Sequence, residues 1–103
     1  MNKRLMDLFA VGQVAVYEDG SPEHRLFLQY LENLGYRWRN RLLPTEIINN
    51  DSEFLIINLG DGLARGRSKD LQRFYPEAEF HYAEEMLKVI DMSNFDDFVD
   101  NFL

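Results

Sequence analysis

The sequence predicts a single α+β domain over residues 1–103: a small, mostly antiparallel sheet of about four strands with two or three helices packed on one face. Three observations lead there. Residues 22–34 and 93–103 repeat their apolar positions at helical spacing. Residues 13–18, 36–41, 53–59 and 79–84 alternate or run apolar as strands do. A chain of 103 residues, 46% hydrophobic, supports one core and one domain.

Leu5, Leu8 and Phe9 recur at spacings of three and four, which predicts a short helical lead-in over 3–9. Gln13–Glu18 is β-branched and aromatic, and Asp19-Gly20 closes that strand with a turn. Ser21 suits an N-cap, Pro22 the first helical position, and Glu23 the positive end of the helix dipole. Leu26, Phe27, Tyr30, Leu31 and Leu34 form the apolar stripe, and Gly35 supplies a left-handed C-terminal residue. Tyr36–Arg41 alternates with period two, so a strand there points Tyr36 and Trp38 one way and Arg37, Arg39 and Arg41 the other. The strand–helix–strand unit places this strand parallel to the first by a right-handed crossover.

Glu53–Leu59 runs apolar enough to be a central strand, ended by Gly60-Asp61-Gly62. Ser68 caps a short helix, Lys69–Phe74, ahead of Pro76. Glu79–Glu84 sets Phe80 and Tyr82 against His81 and Ala83 as a further strand, which 85–90 either extend or turn. Ser93 or Asn94 caps a last helix with Phe95, Phe98, Val99, Phe102 and Leu103 on one stripe. Asp96, Asp97 and Asp100 lie opposite that stripe.

Composition removes several chemistries. The chain has no cysteine, which excludes disulfides, thiolate metal sites and Cys catalysis. No apolar run approaches the ~18–20 residues of a membrane span. Asp7 interrupts the apolar patch after Lys3-Arg4, so no signal peptide is read and a cytoplasmic protein is expected. The net charge is −7. Residues 1–75 hold ten basic and ten acidic residues, whereas 76–103 hold one lysine and eight acids, so the whole excess sits in the last 28 residues. Such a chain is repelled by phosphate backbones, and no direct nucleic-acid contact is expected.

Gly60–Lys69 follows a strand as a phosphate loop does, but neither Gly60 nor Gly62 is spaced for Gly-Lys-Ser/Thr or for a dinucleotide fingerprint. What remains is a loop whose Arg65, Arg67 and Lys69 could hold an anion, or a hairpin with solvated basic tips. Arg37, Arg39 and Arg41 beside Tyr36 and Trp38 match nucleic-acid surfaces in composition. The acidic balance favours instead cross-strand pairing with Glu79 and Glu84, and Trp38 in the core beneath Phe27 and Tyr30. His24, in the first turn of a helix and read as exposed, and His81 do not supply a zinc set. Asp96, Asp97 and Asp100 lack the pattern of a calcium loop. Glu84 and Glu85 point oppositely in a strand, and Ser21, Ser68 and Ser93 serve as caps. No catalytic set, metal or cofactor is therefore expected.

The segment Val14–Trp38 runs strand, turn, Ser21-Pro22-Glu23, amphipathic helix, Leu34-Gly35-Tyr36, Arg37-Trp38. It resembles small phage- and prophage-encoded α/β accessory proteins that share a helix–Gly-Tyr-x-Trp–hairpin architecture, and it covers about a quarter of the chain. The resemblance implies an accessory inhibitor acting in the host cytoplasm. Among proteins of that kind, anti-CRISPR proteins occupy the nucleic-acid groove of a nuclease. It carries over no catalytic residue.

The expected function is a non-enzymatic acidic binding module. Glu77, Glu79, Glu84, Glu85, Asp96, Asp97 and Asp100 meet a basic surface on a host protein, with a CRISPR or other nuclease as the partner class. Two alternatives stand beside it. One is a nucleotide- or anion-sequestering protein using Gly60–Lys69. The other is a structural homodimer joined at a sheet edge or at the Phe-rich C-terminal stripe.

Overall fold

A computed structural model describes residues 4–88. The chain forms α1 (Arg4–Ala10), β1 (Val14–Tyr17), α2 (Pro22–Asn33), a 3-10 turn (Pro44–Glu46), β2 (Phe54–Asn58), β3 (Leu63–Arg67), α3 (Ser68–Phe74), β4 (Glu79–His81) and α4 (Ala83–Lys88). The four strands make one open sheet in the order β3-β2-β1-β4. The β1–β2 and β2–β3 pairings are antiparallel and β1–β4 is parallel. The α+β class and the mostly antiparallel sheet are as predicted.

α2 forms where every local signal agrees. The Ser21 hydroxyl accepts from the His24 N–H at 3.1 Å, and Pro22 opens the helix. At the other end Gly35 takes φ +94°, a region that costs glycine nothing. Tyr36 N–H then reaches the Leu31 carbonyl and Gly35 N–H the Glu32 carbonyl, the paired bonds of a Schellman cap.

β1 and β2 are the inner strands and bury both faces, so alternate residues serve two cores. Val14, Val16 and Ile56 face α1, α2 and α4 together with Phe9, Phe27, Leu28, Leu31, Trp38 and Met86. Ala15, Leu55 and Ile57 face the other way, against Leu71 of α3. Three helices therefore pack on one face, within the two or three predicted, and α3 is an addition on the other. α3 crosses over because the chain turns directly out of β3, and Gly66 leaves room for it. A Cβ at Gly66 would stand 2.8 Å from Leu71 Cδ2.

Three strands differ from expectation. Tyr36–Arg41 is not a strand. Trp38 N–H bonds to Leu42 O, Arg41 N–H bonds to Trp38 O, and Arg41 adopts φ +75°, so the chain reverses within five residues. A single parallel bridge, Trp38 to Leu63, remains. The parallel partner of β1 is accordingly β4, not this segment. Conversely, the supposed glycine loop contains β3, paired residue for residue with β2 from Phe54↔Arg67 to Asn58↔Leu63. The fourth predicted strand stops at His81, and 83–88 is helical, so Glu84 and Glu85 lie on α4. Ser68 is the first helical residue of α3, and the capping position is Arg67. The predicted helix over 93–103, with Asp96, Asp97 and Asp100, lies outside the described residues. No helix among the described residues is long and apolar enough to cross a membrane.

Candidate functional site

Polar groups buried inside the fold are expensive unless they are paired. Glu18 continues the parity of Val14 and Val16, so its side chain turns into the same core, where it is fully buried. Its carboxylate is held by Arg65 in a two-point grip. Arg65 Nε donates to Oε2 and Nη2 donates to Oε1 at 2.7 Å. The register makes this possible: Arg65 pairs with Ile56, Ile56 with Val16, and Glu18 N–H bonds to Phe54 O. The Arg65 guanidinium also lies 4.9 Å from the centre of the Trp38 ring, and Trp38 Nε1 donates to Pro44 O at 3.2 Å.

His24 completes the buried group. It was expected in an exposed turn, but it lies fully buried in a stripe with Phe27, Leu28 and Leu31. Its Nδ1 accepts from Gly20 N–H at 3.1 Å, which leaves the proton on Nε2, 3.9 Å from Glu18 Oε1. Burial pushes the His24 pKa down, against the pull of Glu18 and Asp19. This cluster braces the sheet to α2. Arg65, a candidate anion ligand, therefore has its charge committed internally.

The β4 side of the sheet collects the acids. Glu79 forms an ion pair with Arg4 of α1 and accepts from His81 Nε2 at 3.0 Å. His81 Nδ1 lies 2.7 Å from Glu85 Oε2. Glu84 pairs with Lys88 at 3.4 Å, and Glu77 is exposed. The structure thus links Glu79 and Glu85 through His81, with Glu77 just before β4 and Glu84 on α4. Their partners are not the arginine stripe. Arg39 pairs instead with Asp61, at 3.4 Å.

Proton linkage follows from these contacts. Partial burial lowers the His81 pKa, but its bonds to Glu85 and Glu79 outweigh that and raise it overall. The Arg4 and His81 bonds lower Glu79, and the His81 bond lowers Glu85. A raised histidine stabilises fully below its unfolded value of ~6.5 and loses that contribution as pH rises through the folded value. A lowered histidine does the reverse: His24 stabilises fully above ~6.5 and loses that contribution as pH falls. Thermal stability should therefore peak near pH ~6.5. His81→Gln should remove the alkaline decline, and His24→Gln should remove the acid decline nearest the peak. Melting curves from pH 4 to 9 check this. A profile unchanged by either substitution contradicts the assignment.

The β3 side collects the bases. Arg37, Arg39 and Arg41 are exposed on the turn that borders Leu63. Arg67 and Lys69 line a cleft of about 270 Å³ with Ser68 and Glu53. Glu53 lies 3.9 Å from Arg67, which also stands over the Phe54 ring at 5.1 Å. Of the three proposed anion ligands, the structure groups two and gives the third to Glu18. Among the described residues no group of three or more His, Asp or Glu is arranged to hold a metal ion. Sequence reasoning missed Glu18 and His24, although the parity of the one and the helical spacing of the other were visible. Compared with known proteins, the chain matches no family model, no curated protein and no solved structure.

Proposed function

We propose that this chain is a non-enzymatic binding module whose acidic β4–α4 side, together with Asp96, Asp97 and Asp100 later in the sequence, docks onto a basic protein surface. Charge layout supports the reading: acids lie on the β4–α4 side of the sheet, and exposed arginines, two of them in solvent-exposed pairs with Asp61 and Glu53, lie on the β3 side. Arg4 and His81 hold Glu79 and Glu85, so the contact rests on Glu77, Glu84 and the three C-terminal aspartates. The Glu84–Lys88 pair is exposed on both sides and screened by solvent, so it opens at little cost. The partner class that fits is a nucleic-acid-handling enzyme, a phage-targeted nuclease among them, because such grooves are basic. Cytoplasm is the compartment this reading uses.

The test is affinity capture from host lysate at low and high salt, run beside a variant carrying Glu77→Lys, Glu84→Lys, Asp96→Lys, Asp97→Lys and Asp100→Lys. The expected result is a basic protein retained at low salt, released at high salt, and not retained by the variant. Equal retention by the variant contradicts the assigned face.

A further inference from the structure

We propose that the outer edge of β3 is a second docking site, where an acidic extended peptide adds to the sheet as a fifth strand. β3 is an edge strand. Leu63 donates its N–H to Arg37 O at 2.8 Å and accepts from Arg39 N–H at 3.0 Å, both on the side away from β2. In an antiparallel ladder every second residue turns its N–H and C=O the same way. Arg65 N–H, Arg65 C=O and Arg67 N–H therefore point outward in register with Leu63. The Arg67 carbonyl is taken up at the start of α3. Among the described residues, the 37–39 segment bridges this edge at Leu63, and it leaves the edge through the Trp38–Leu42 turn. Three outward backbone groups thus extend a pairing that the protein itself has begun.

Charge selects the occupant. Arg37, Arg39, Arg41, Arg67 and Lys69 are all exposed around this edge. Asp61 and Glu53 answer two of them, in solvent-exposed pairs at 3.4 and 3.9 Å. Arg65 stays rigid, because its side chain is locked to Glu18 beneath the edge. A backbone edge that no strand among the described residues pairs with, bordered by arginines, suits a strand with carboxylates at alternate positions. A single-stranded nucleic acid matches the charge but offers no peptide N–H and C=O to pair with Arg65. The proposal uses the edge opposite β4 and stands apart from the acidic-face reading.

A random dodecapeptide library displayed on phage, selected against the immobilised full chain, tests it. Enriched peptides are then resynthesised and titrated into isotope-labelled protein. The expected result is acidic residues at i, i+2 spacing without an intervening proline, and amide exchange at Arg65 and Arg67 slowed by about tenfold or more. Arg37→Glu with Arg67→Glu should weaken binding by about tenfold or more at unchanged melting temperature. Mapping on the unaltered chain decides the case even where a variant folds poorly. Absence of enrichment, enrichment without acidic bias, or protection at other amides overturns the proposal. So does a deca-thymidine oligonucleotide that protects Arg65 and Arg67 as well as any enriched peptide.

Discussion

Arg65→Met is expected to destabilise the fold by about 3–5 kcal/mol, the cost of leaving a buried charge without its partner. Glu18 is fully enclosed, so its carboxylate cannot reach water when the guanidinium is gone. Arg65 differs: about a quarter of its side chain is exposed, so it can swing outward when Glu18 is replaced. Glu18→Gln should therefore cost less than Arg65→Met. The double variant should be more stable than Arg65→Met alone, because it contains no stranded charge. Since domains of this kind are stable by only about 5–15 kcal/mol, the single change consumes much of the margin. Urea unfolding of the three variants measures the cycle. Equal and additive losses would show that the two side chains do not act as a pair.

Trp38→Ala should have an effect of similar size, about 3–5 kcal/mol. Three contacts disappear together. The ring leaves the core, where it is 5% exposed among Phe27, Leu63 and their neighbours. The Pro44 carbonyl loses its donor, and the Arg65 guanidinium loses the surface it rests on. Trp38→Phe separates these, since a phenyl ring keeps much of the packing and a face for Arg65 but has no N–H. That variant should cost about 1–3 kcal/mol, chiefly from the stranded carbonyl. Each kcal/mol corresponds to a fall of about 4–8 °C in melting temperature for a domain near this size. Far-ultraviolet circular dichroism reads it without relying on the tryptophan. Losses below about 1 kcal/mol for Trp38→Ala would mean the ring is not part of the brace.

α2 was legible because cap, first-turn proline, apolar stripe and terminal glycine all sit between Ser21 and Gly35 and agree. β1 and β2 were legible because inner strands are apolar whichever face they present. β3 was not. Ala64-Arg65-Gly66-Arg67 has little local strand preference and is extended because β2 offers it a ladder. The alternation of Tyr36–Arg41 was real in its burial, with Tyr36 packed on the core, Trp38 buried and three arginines exposed. The turn at Asn40-Arg41 nevertheless overrode it. His24 stands three, four and seven residues before Phe27, Leu28 and Leu31, so the stripe itself marked it as inward-facing. The link between Glu79 and Glu85 was not readable from charge counts, because it runs through His81 between a strand and the helix that follows. The Arg4–Glu79 pair joins residues 75 apart and depends on β4 pairing beside β1, which no local pattern announces.

The charge layout that underlies both binding readings can be mapped in one measurement: amide shift changes of the labelled full chain on adding decalysine or, separately, decaglutamate. Decalysine is expected to perturb Glu77–Lys88 and the residues that follow. Decaglutamate is expected to perturb Arg37–Arg41 and Arg65–Lys69. If the two probes disturb the same residues, or scatter over the whole surface, the sheet does not carry opposite signs on its two edges and the account is contradicted.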